Sequence, residues 1–452
     1  MPPALLRQLA ARAPERYPLL LESVATGALG AISVLFAAPR AALILHRDGR
    51  LQADGFSARG ATFLEALENW WLAEGIDGAD ASGPLRFAGS WALYLGYELA
   101  AEIEPRLELP RTPLPWVAFA VRTHAALVYD FKAQRACAVA EAGASAALEE
   151  LLADVTHAAG EARAAALAAT AAAVHEEDPQ AYLARVHRAK EYIRAGDIYQ
   201  ANLSRPWEVS INAGARAGTP GTTAAALYER LCAANPAPFA ALAQRHGTAI
   251  LSSSPERLLR ITGRSIDTRP IAGTRPRSRK PGLDLREVTE LAAHPKERAE
   301  HIMLIDLERN DLGRVCEAGT VRVDELMTIE SYTHVHHIVS NVSGRLRADV
   351  TPVGALRAVF PGGTITGCPK FRCMQIIAEL EAAGRGAYTG SLGYLTSGGD
   401  LDLNILIRTM TLSGGQLSFR AGAGIVADSD PEAELEETRA KARGLLAALG
   451  GD

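Results

Sequence analysis

Two pairs of glutamates, Glu297 with Glu300 and Glu434 with Glu437, have types and a three-residue spacing that could do chemistry together. On a helix that spacing puts each pair on one face, and Lys441 joins the second pair one turn later. A single surface pair is ordinarily solvated. Two pairs in one region, offering oxygen donors only, suit Mg²⁺, which takes carboxylates together with water and substrate. Glu256 sits at the polar kink of Ser252-Ser-Ser-Pro-Glu256, between two strand-like runs. In Arg269-Pro-Ile-Ala-Gly-Thr-Arg-Pro-Arg277, Gly273 and Thr274 offer amide and hydroxyl donors to a ligand.

Phe360 to Glu381 reads as a tight glycine-rich loop feeding an amphipathic helix, with Pro369 suited to the first turn and Lys370 beside it. Free amides at such a helix start favour an anion. Gly362 and Gly367 have the spacing of a phosphate-binding loop, but Cys368 stands where the lysine belongs, which excludes that motif. Gly422, Gly424 and Ala427 imitate a dinucleotide fingerprint, yet they lead into Ile-Val instead of opening a helix. In Thr333-His-Val-His-His-Ile338, strand alternation sends His334 and His336 one way and His337 the other, so one histidine near substrate is expected instead of a metal cluster.

The elements that must position these groups follow from periodicity. Tyr17 to about Ala140 is strand-rich, with a helix near Phe63 to Glu74. Ala144 to Ala173 is an alanine-rich helix or connector and marks a boundary, giving an N-terminal region 17–143, a connector 144–177 and a catalytic region 178–450. Asp178 caps a helix to about Arg194, Gly196 to Ser204 turns into a strand, and Gly214 to Gly221 is expected to be a flexible loop. A helix runs from Pro295 through Arg309, and Asp430-Pro431 caps the last one.

Composition narrows the classes. A net charge of -5 without long basic runs argues against nucleic acid. Five cysteines without C-x-x-C spacing indicate neither zinc nor a disulfide framework and suit a reducing cytoplasm. No apolar run has signal-peptide or membrane-spanning character, so a soluble cytoplasmic protein is expected, with no membrane partner.

The stretches GDIYQANLS, SSPERL, PIAGT, KERAEHIMLIDLERNDLGRV, HHIVS, FPGGTITGCPK, GAYTGSLGYL, LDLNILIRT and AGAGIVADSDPEAELEET occur in that order. With them the chain resembles the chorismate-utilising enzymes, and among them the large synthase subunits of aminodeoxychorismate and anthranilate formation. The resemblance spans nearly the whole chain and is densest from Gly196 to Leu449. It implies an α+β fold of two large antiparallel β-sheets packed as a sandwich with helices on the outside, and a Mg²⁺-chorismate site between them. It also implies roles: Glu300 and Glu437 on Mg²⁺ with Glu297 and Glu434 adjoining. Tyr388, Arg408 and the amides of Gly422, Ala423 and Gly424 hold carboxylates, and Gly273, Thr274 and Lys441 contact the ligand. Glu256 is the acid for the C4 hydroxyl, with His337 and Thr364 near the reacting ring.

Isochorismate and salicylate synthases of the same superfamily carry a lysine base where Gln200 stands, so Gln200 favours ammonia over water as nucleophile. No glutaminase-like nucleophile loop is present, which implies a separate glutaminase subunit as the source of ammonia. Tyr199 to Ser204 and Gly362 to Gly367 resemble the aminodeoxychorismate form; Ala272 replaces a lysine found in many such enzymes and resembles the anthranilate form. Aminodeoxychorismate is the expected product and anthranilate its rival. Leu20-Leu-Glu-Ser23 and Asn235-Pro-Ala-Pro238 resemble inhibitor-pocket stretches, which admits tryptophan as a ligand and, from another class, an inactive sensing or glutaminase-binding paralogue.

Overall fold

Alternation along the strands decides the layering. The computed structural model describes residues 3–25, 32–75, 89–160, 170–212, 220–277, 281–332 and 335–450. In the long strand Ile32–His46, Val34, Phe36, Ala42 and Ile44 enter one apolar core. Leu35 and Ala37 enter a second core, whereas Ala41, Leu43 and Leu45 enter a third. The change of partner falls at a break in the ladder with Trp116–Asp130, between Pro39 and Ala41, beside Ala38 in the left-handed region at φ 56°. An irregularity of this kind bends a strand pair. The two halves of each long strand therefore run in different sheets.

The first sheet runs in the order Thr170–Glu176, Gln200–Asn212, Gln416–Ile425, Thr409–Ser413, Thr248–Ser254, Phe239–Arg245 and Leu19–Glu22. It ends on one half of each long strand and Arg135–Ala140. The second takes the other halves and continues through Ser90–Leu95, Ser391–Thr396, Leu401–Asn404, Arg257–Thr262 and Ser265–Arg269 to Val335–Arg345. Ile271–Pro276 and Arg322–Ser331 flank that last strand, and every pairing is antiparallel.

Between the sheets lies a core in which Tyr94, Trp116 and Phe119 make edge and tilted ring contacts with centroids 4.9 to 5.4 Å apart. Outside the first sheet, helices Pro3–Arg12, Ser145–Gly160, Pro220–Ala234 and Pro431–Ala448 bury their apolar stripes. Outside the second, Phe63–Glu74, Pro295–Gly313 and Pro352–Val359 do the same. The fold is α+β, with helices outside two face-to-face antiparallel layers, as expected.

Residues of the regions 17–143 and 178–450 share all three of these cores. The alanine-rich stretch contributes the helix Ser145–Gly160, with Leu151 and Ala158 buried, and its end enters the strand Thr170–Glu176. The expected loop at Gly214 to Gly221 lies outside the described residues as far as 219, and Pro220 opens a helix. His334 is also outside them. Among the described residues no helix is long and apolar enough to cross a membrane.

Candidate active site

Two short crossings between the sheets build the site. The strand Thr248–Ser254 belongs to the first sheet and Arg257–Thr262 to the second, so Pro255 and Glu256 carry the chain from one layer to the other. Leu401–Asn404 and Thr409–Ser413 make the return crossing, which includes Arg408. Arg408 has φ 52°, a left-handed conformation that costs a non-glycine residue on the order of 1–3 kcal/mol. The ladder between Thr409–Ser413 and Gln416–Ile425 stops at Met410 and Phe419, just before this turn. Gly422, Ala423 and Gly424 then pair only on their other side, with Ser204, Leu203 and Asn202, which leaves one backbone edge open.

That edge borders a cavity of about 600 Å³ lined by Gln200, Glu256, Gly273, Thr364, Tyr388 and Arg408, and by His337 from Val335–Arg345. Glu256 is 4 % exposed and accepts a hydrogen bond from Thr364 Oγ1 at 2.8 Å. Burial, with the nearby Glu308 charge adding to it, pushes the Glu256 carboxyl up to about 8. It is a protonated acid at neutral pH. Burial, with help from Arg408, pushes His337 down to about 3, so its imidazole is neutral. Among the described residues no carboxylate lies within ion-pair distance of the Arg408 guanidinium, and burial lowers its pKa from the usual arginine value. Glu437 acts on this charge from beyond ion-pair distance and does not neutralise it, so the site suits an anionic ligand.

Glu297 and Glu300 from Pro295–Gly313 and Glu434 and Glu437 from Pro431–Ala448 line the same cavity from two helices. Glu297 Oε1 pairs with Arg275 at 2.6 Å, while its buried Oε2 has no hydrogen-bond partner among the described residues. A Cβ on Gly273, at φ 74°, would lie 2.0 Å from that oxygen, so glycine is needed there on both counts. Glu437 Oε1 pairs with Lys441 at 2.7 Å. Among the described residues no three His, Cys, Asp or Glu side chains are gathered into a ready ligand cluster. The donor set still fits a hard cation: four carboxylates face one cavity, and one of their buried oxygens lacks a partner among the described residues.

The model of the chorismate binding enzyme family matches residues 26–447. The chain belongs to the chorismate-binding enzyme family. It is 44% identical over 374 residues to the anthranilate synthase component I-like protein of Synechocystis, covering 81% of this chain and 74% of that one. It is 41% identical over 412 residues to the aminodeoxychorismate synthase of Streptomyces griseus, covering 88% and 55%. Several other curated relatives are matched over about half of their length. The solved anthranilate synthase component I of Streptococcus pneumoniae superposes with a TM-score of 0.80 at 28% identity, covering 93% of both chains.

In this chorismate-binding enzyme the remaining expected residues divide. Tyr388 lines the cavity, its hydroxyl 3.4 Å from Asn202 Oδ1. Gln200 lies within reach of Gly424, where a Cβ would meet its Nε2 at 2.3 Å, and its Oε1 is buried without a partner among the described residues. Ala423 turns its side chain away from the cavity, into a core with Tyr182 and Leu435. Lys441 donates to the Gly422 carbonyl at 3.0 Å, so it ties the last helix to the open strand while pairing with Glu437 one turn back on its own helix. Thr274 stands opposite His337 in the ladder; its side chain lies outside the described residues. His336 faces away, bonded to Ser331 at 2.7 Å and Asp284 at 3.1 Å, as strand alternation requires.

One expectation is corrected. The helix start at Pro369 and Lys370 does not face this cavity but lines a separate groove, and Lys370 is held by Asp311 at 2.6 Å and by the Val359 carbonyl. Pro369 caps the helix Lys370–Glu381 from outside its first turn. The loop reaches the site through Thr364 and Ile365 alone. Sequence reasoning missed Arg275, His294, Asn202 and Arg420, which also line the cavity. Arg420 is buried against Glu381 at 2.8 Å, and a lone arginine in a strand pattern carries no signal of that. The stretches Leu20 to Ser23 and Asn235 to Pro238 do adjoin, with Ser23 Oγ donating to the Pro238 carbonyl at 3.4 Å and Glu22 paired with Arg7 at 2.8 Å.

Proposed function

We propose that this chain is the large subunit of an aminodeoxychorismate synthase, which replaces the C4 hydroxyl of chorismate by an amino group. The reading rests on one juxtaposition: an acid held protonated, Glu256, in the same cavity as Arg408, a cation with no carboxylate within ion-pair distance among the described residues. Chorismate is a dianion with a poor leaving group, and it needs both. Arg408, Tyr388 and the open edge at Gly422 and Gly424 hold the carboxylates. Glu256 gives its proton to the C4 oxygen, so water leaves instead of hydroxide. Thr364 fixes the direction of that carboxyl, and neutral His337 lies beside the ring without adding charge. Glu300 and Glu437, with Glu297 and Glu434 adjoining, would hold Mg²⁺, which neutralises substrate carboxylate when bound.

Gln200 cannot act as a base toward water, which leaves ammonia as nucleophile. Ammonia adds at C2 as the C4–O bond breaks, and a second ammonia then enters at C4 as the first leaves. One nitrogen is gained, one water is lost, and the proton shed by the added ammonia replaces the one Glu256 gave. The ammonia comes from a separate glutaminase subunit.

Ala272 in the cavity wall favours a second reading, anthranilate synthase component I, because no amine nucleophile is available there to attack C2 first. Product analysis separates the two. With chorismate, an ammonium salt and Mg²⁺, 4-aminobenzoate should form once an aminodeoxychorismate lyase is supplied. Anthranilate and pyruvate released directly, with no 4-aminobenzoate, would overturn the first reading in favour of the second.

A further inference from the structure

Behind the Thr364 turn, on the side away from substrate, lies a buried carboxylate that no step above uses. Glu308 is 3 % exposed on the helix Pro295–Gly313 and accepts from Thr268 Oγ1 at 2.8 Å. The Gly363 amide lies against the same carboxylate. Gly363 itself is seated on the helix, since a Cβ there would lie 2.3 Å from Leu307 Cδ2 and 3.5 Å from Glu308 Oε1. The next residue in the chain, Thr364, donates to Glu256. Three residues further along the helix, Asp311 anchors the far end of the loop through Lys370. One helix thus carries Glu297 and Glu300 into the cavity and props, from behind, the turn that directs the acid.

We propose that Glu308 is a positioning residue for Glu256: it braces from behind the Gly363-Thr364 turn that directs this carboxyl, and it sets a second carboxylate close to it. This rests on the reading of Glu256 as proton donor. The charged groups facing Glu256 are Glu308, which holds the proton, and Lys441, which opposes it. Glu308 faces Asp311 on its own helix and Lys370 at the start of the helix Lys370–Glu381. Burial and Asp311 push Glu308 up while Lys370 and Thr268 hold it down, and wherever Glu308 is ionised its charge resists loss of the Glu256 proton.

Two substitutions separate brace from charge. Glu308→Gln keeps an acceptor for Gly363 and removes only the charge. The alkaline limb of the chorismate kcat/KM profile should move to lower pH, while the rate on the low-pH plateau stays within a few-fold. Glu308→Leu removes the brace as well, and kcat should fall by about 10- to 100-fold, the usual loss when a group supporting a reactive residue is removed. Titration of the ¹³C-labelled Glu256 carboxyl, which needs no turnover, should show the same downward shift in Glu308→Gln. A Glu256 titration and pH profile in Glu308→Gln that superimpose on those of the unaltered protein would overturn the proposal. If instead Glu256→Gln retains full turnover, the reading of Glu256 fails, and the proposal with it.

Discussion

Individual side chains in this cavity are chemically useful because of what surrounds them. The Glu256 carboxyl stays protonated in the fold up to about 8, whereas an exposed one loses its proton near 4.5. Between those limits the folded state holds a proton that the unfolded chain has lost. This contribution to stability is fully present below the lower value and is lost as pH rises through the upper one. Activity should follow the same group, with kcat for chorismate consumption, at fixed free ammonia, falling above about pH 8. A flat profile from pH 6 to 10 would rule Glu256 out as the acid. His337, neutral above about 3, should add no limb near its ordinary value. Under the proposed function Arg408 holds a substrate carboxylate by a planar, paired contact that lysine cannot copy. Arg408→Lys should therefore raise KM for chorismate at least tenfold, about 1.4 kcal/mol of binding, without changing thermal stability. An unchanged KM would remove Arg408 from the binding site.

At the scale of elements, the glycines of the open strand differ in what they protect. A methyl on Gly424 would press on the mobile end of Gln200, whereas one on Gly422 would press on the Leu203 carbonyl and the Tyr388 hydroxyl, both at 2.6 Å. Gly424→Ala should leave the melting temperature nearly unchanged and reduce turnover. Gly422→Ala should lower stability by about 1–3 kcal/mol, because backbone must shift. Equal melting temperatures would contradict this geometry. Much of the element level was legible beforehand. Asp178 and Asp430 cap their helices as their positions suggest, accepting from Gln180 at 3.0 Å and Ala433 at 2.9 Å. Glu256 does stand between two strands. What could not be read is which sheet each strand joins, since alternation is the same in both; the bend at Ala38 and the crossings at Glu256 and Arg408 are decided by long-range pairing. For the same reason Lys370 looked like an anion site until Asp311, 59 positions away, was seen beside it.

For the whole molecule, the prediction concerns supply of nitrogen. The purified chain should consume chorismate with ammonium salts at alkaline pH, where free ammonia is abundant, and should use glutamine only after a glutaminase subunit is added. Glutamine-dependent turnover by the chain alone would mean that the second subunit is not required. Among the described residues, all that line the cavity come after position 199, yet the region 17–143 supplies part of both sheets and of the core between them.

The bent strands Ile32–His46 and Trp116–Asp130 therefore act as a shared spine, and their loss would leave two half-sheets with no common frame. Residues 178–450 expressed alone should give no cooperative melting transition and no chorismate binding by calorimetry. A folded, binding fragment would show that the spine is dispensable. On this view a lineage could vary the solvent faces of the outer helices, but it could not shed the front third of the chain to make a smaller catalyst; the part that lines no cavity is the part that keeps the two crossings face to face.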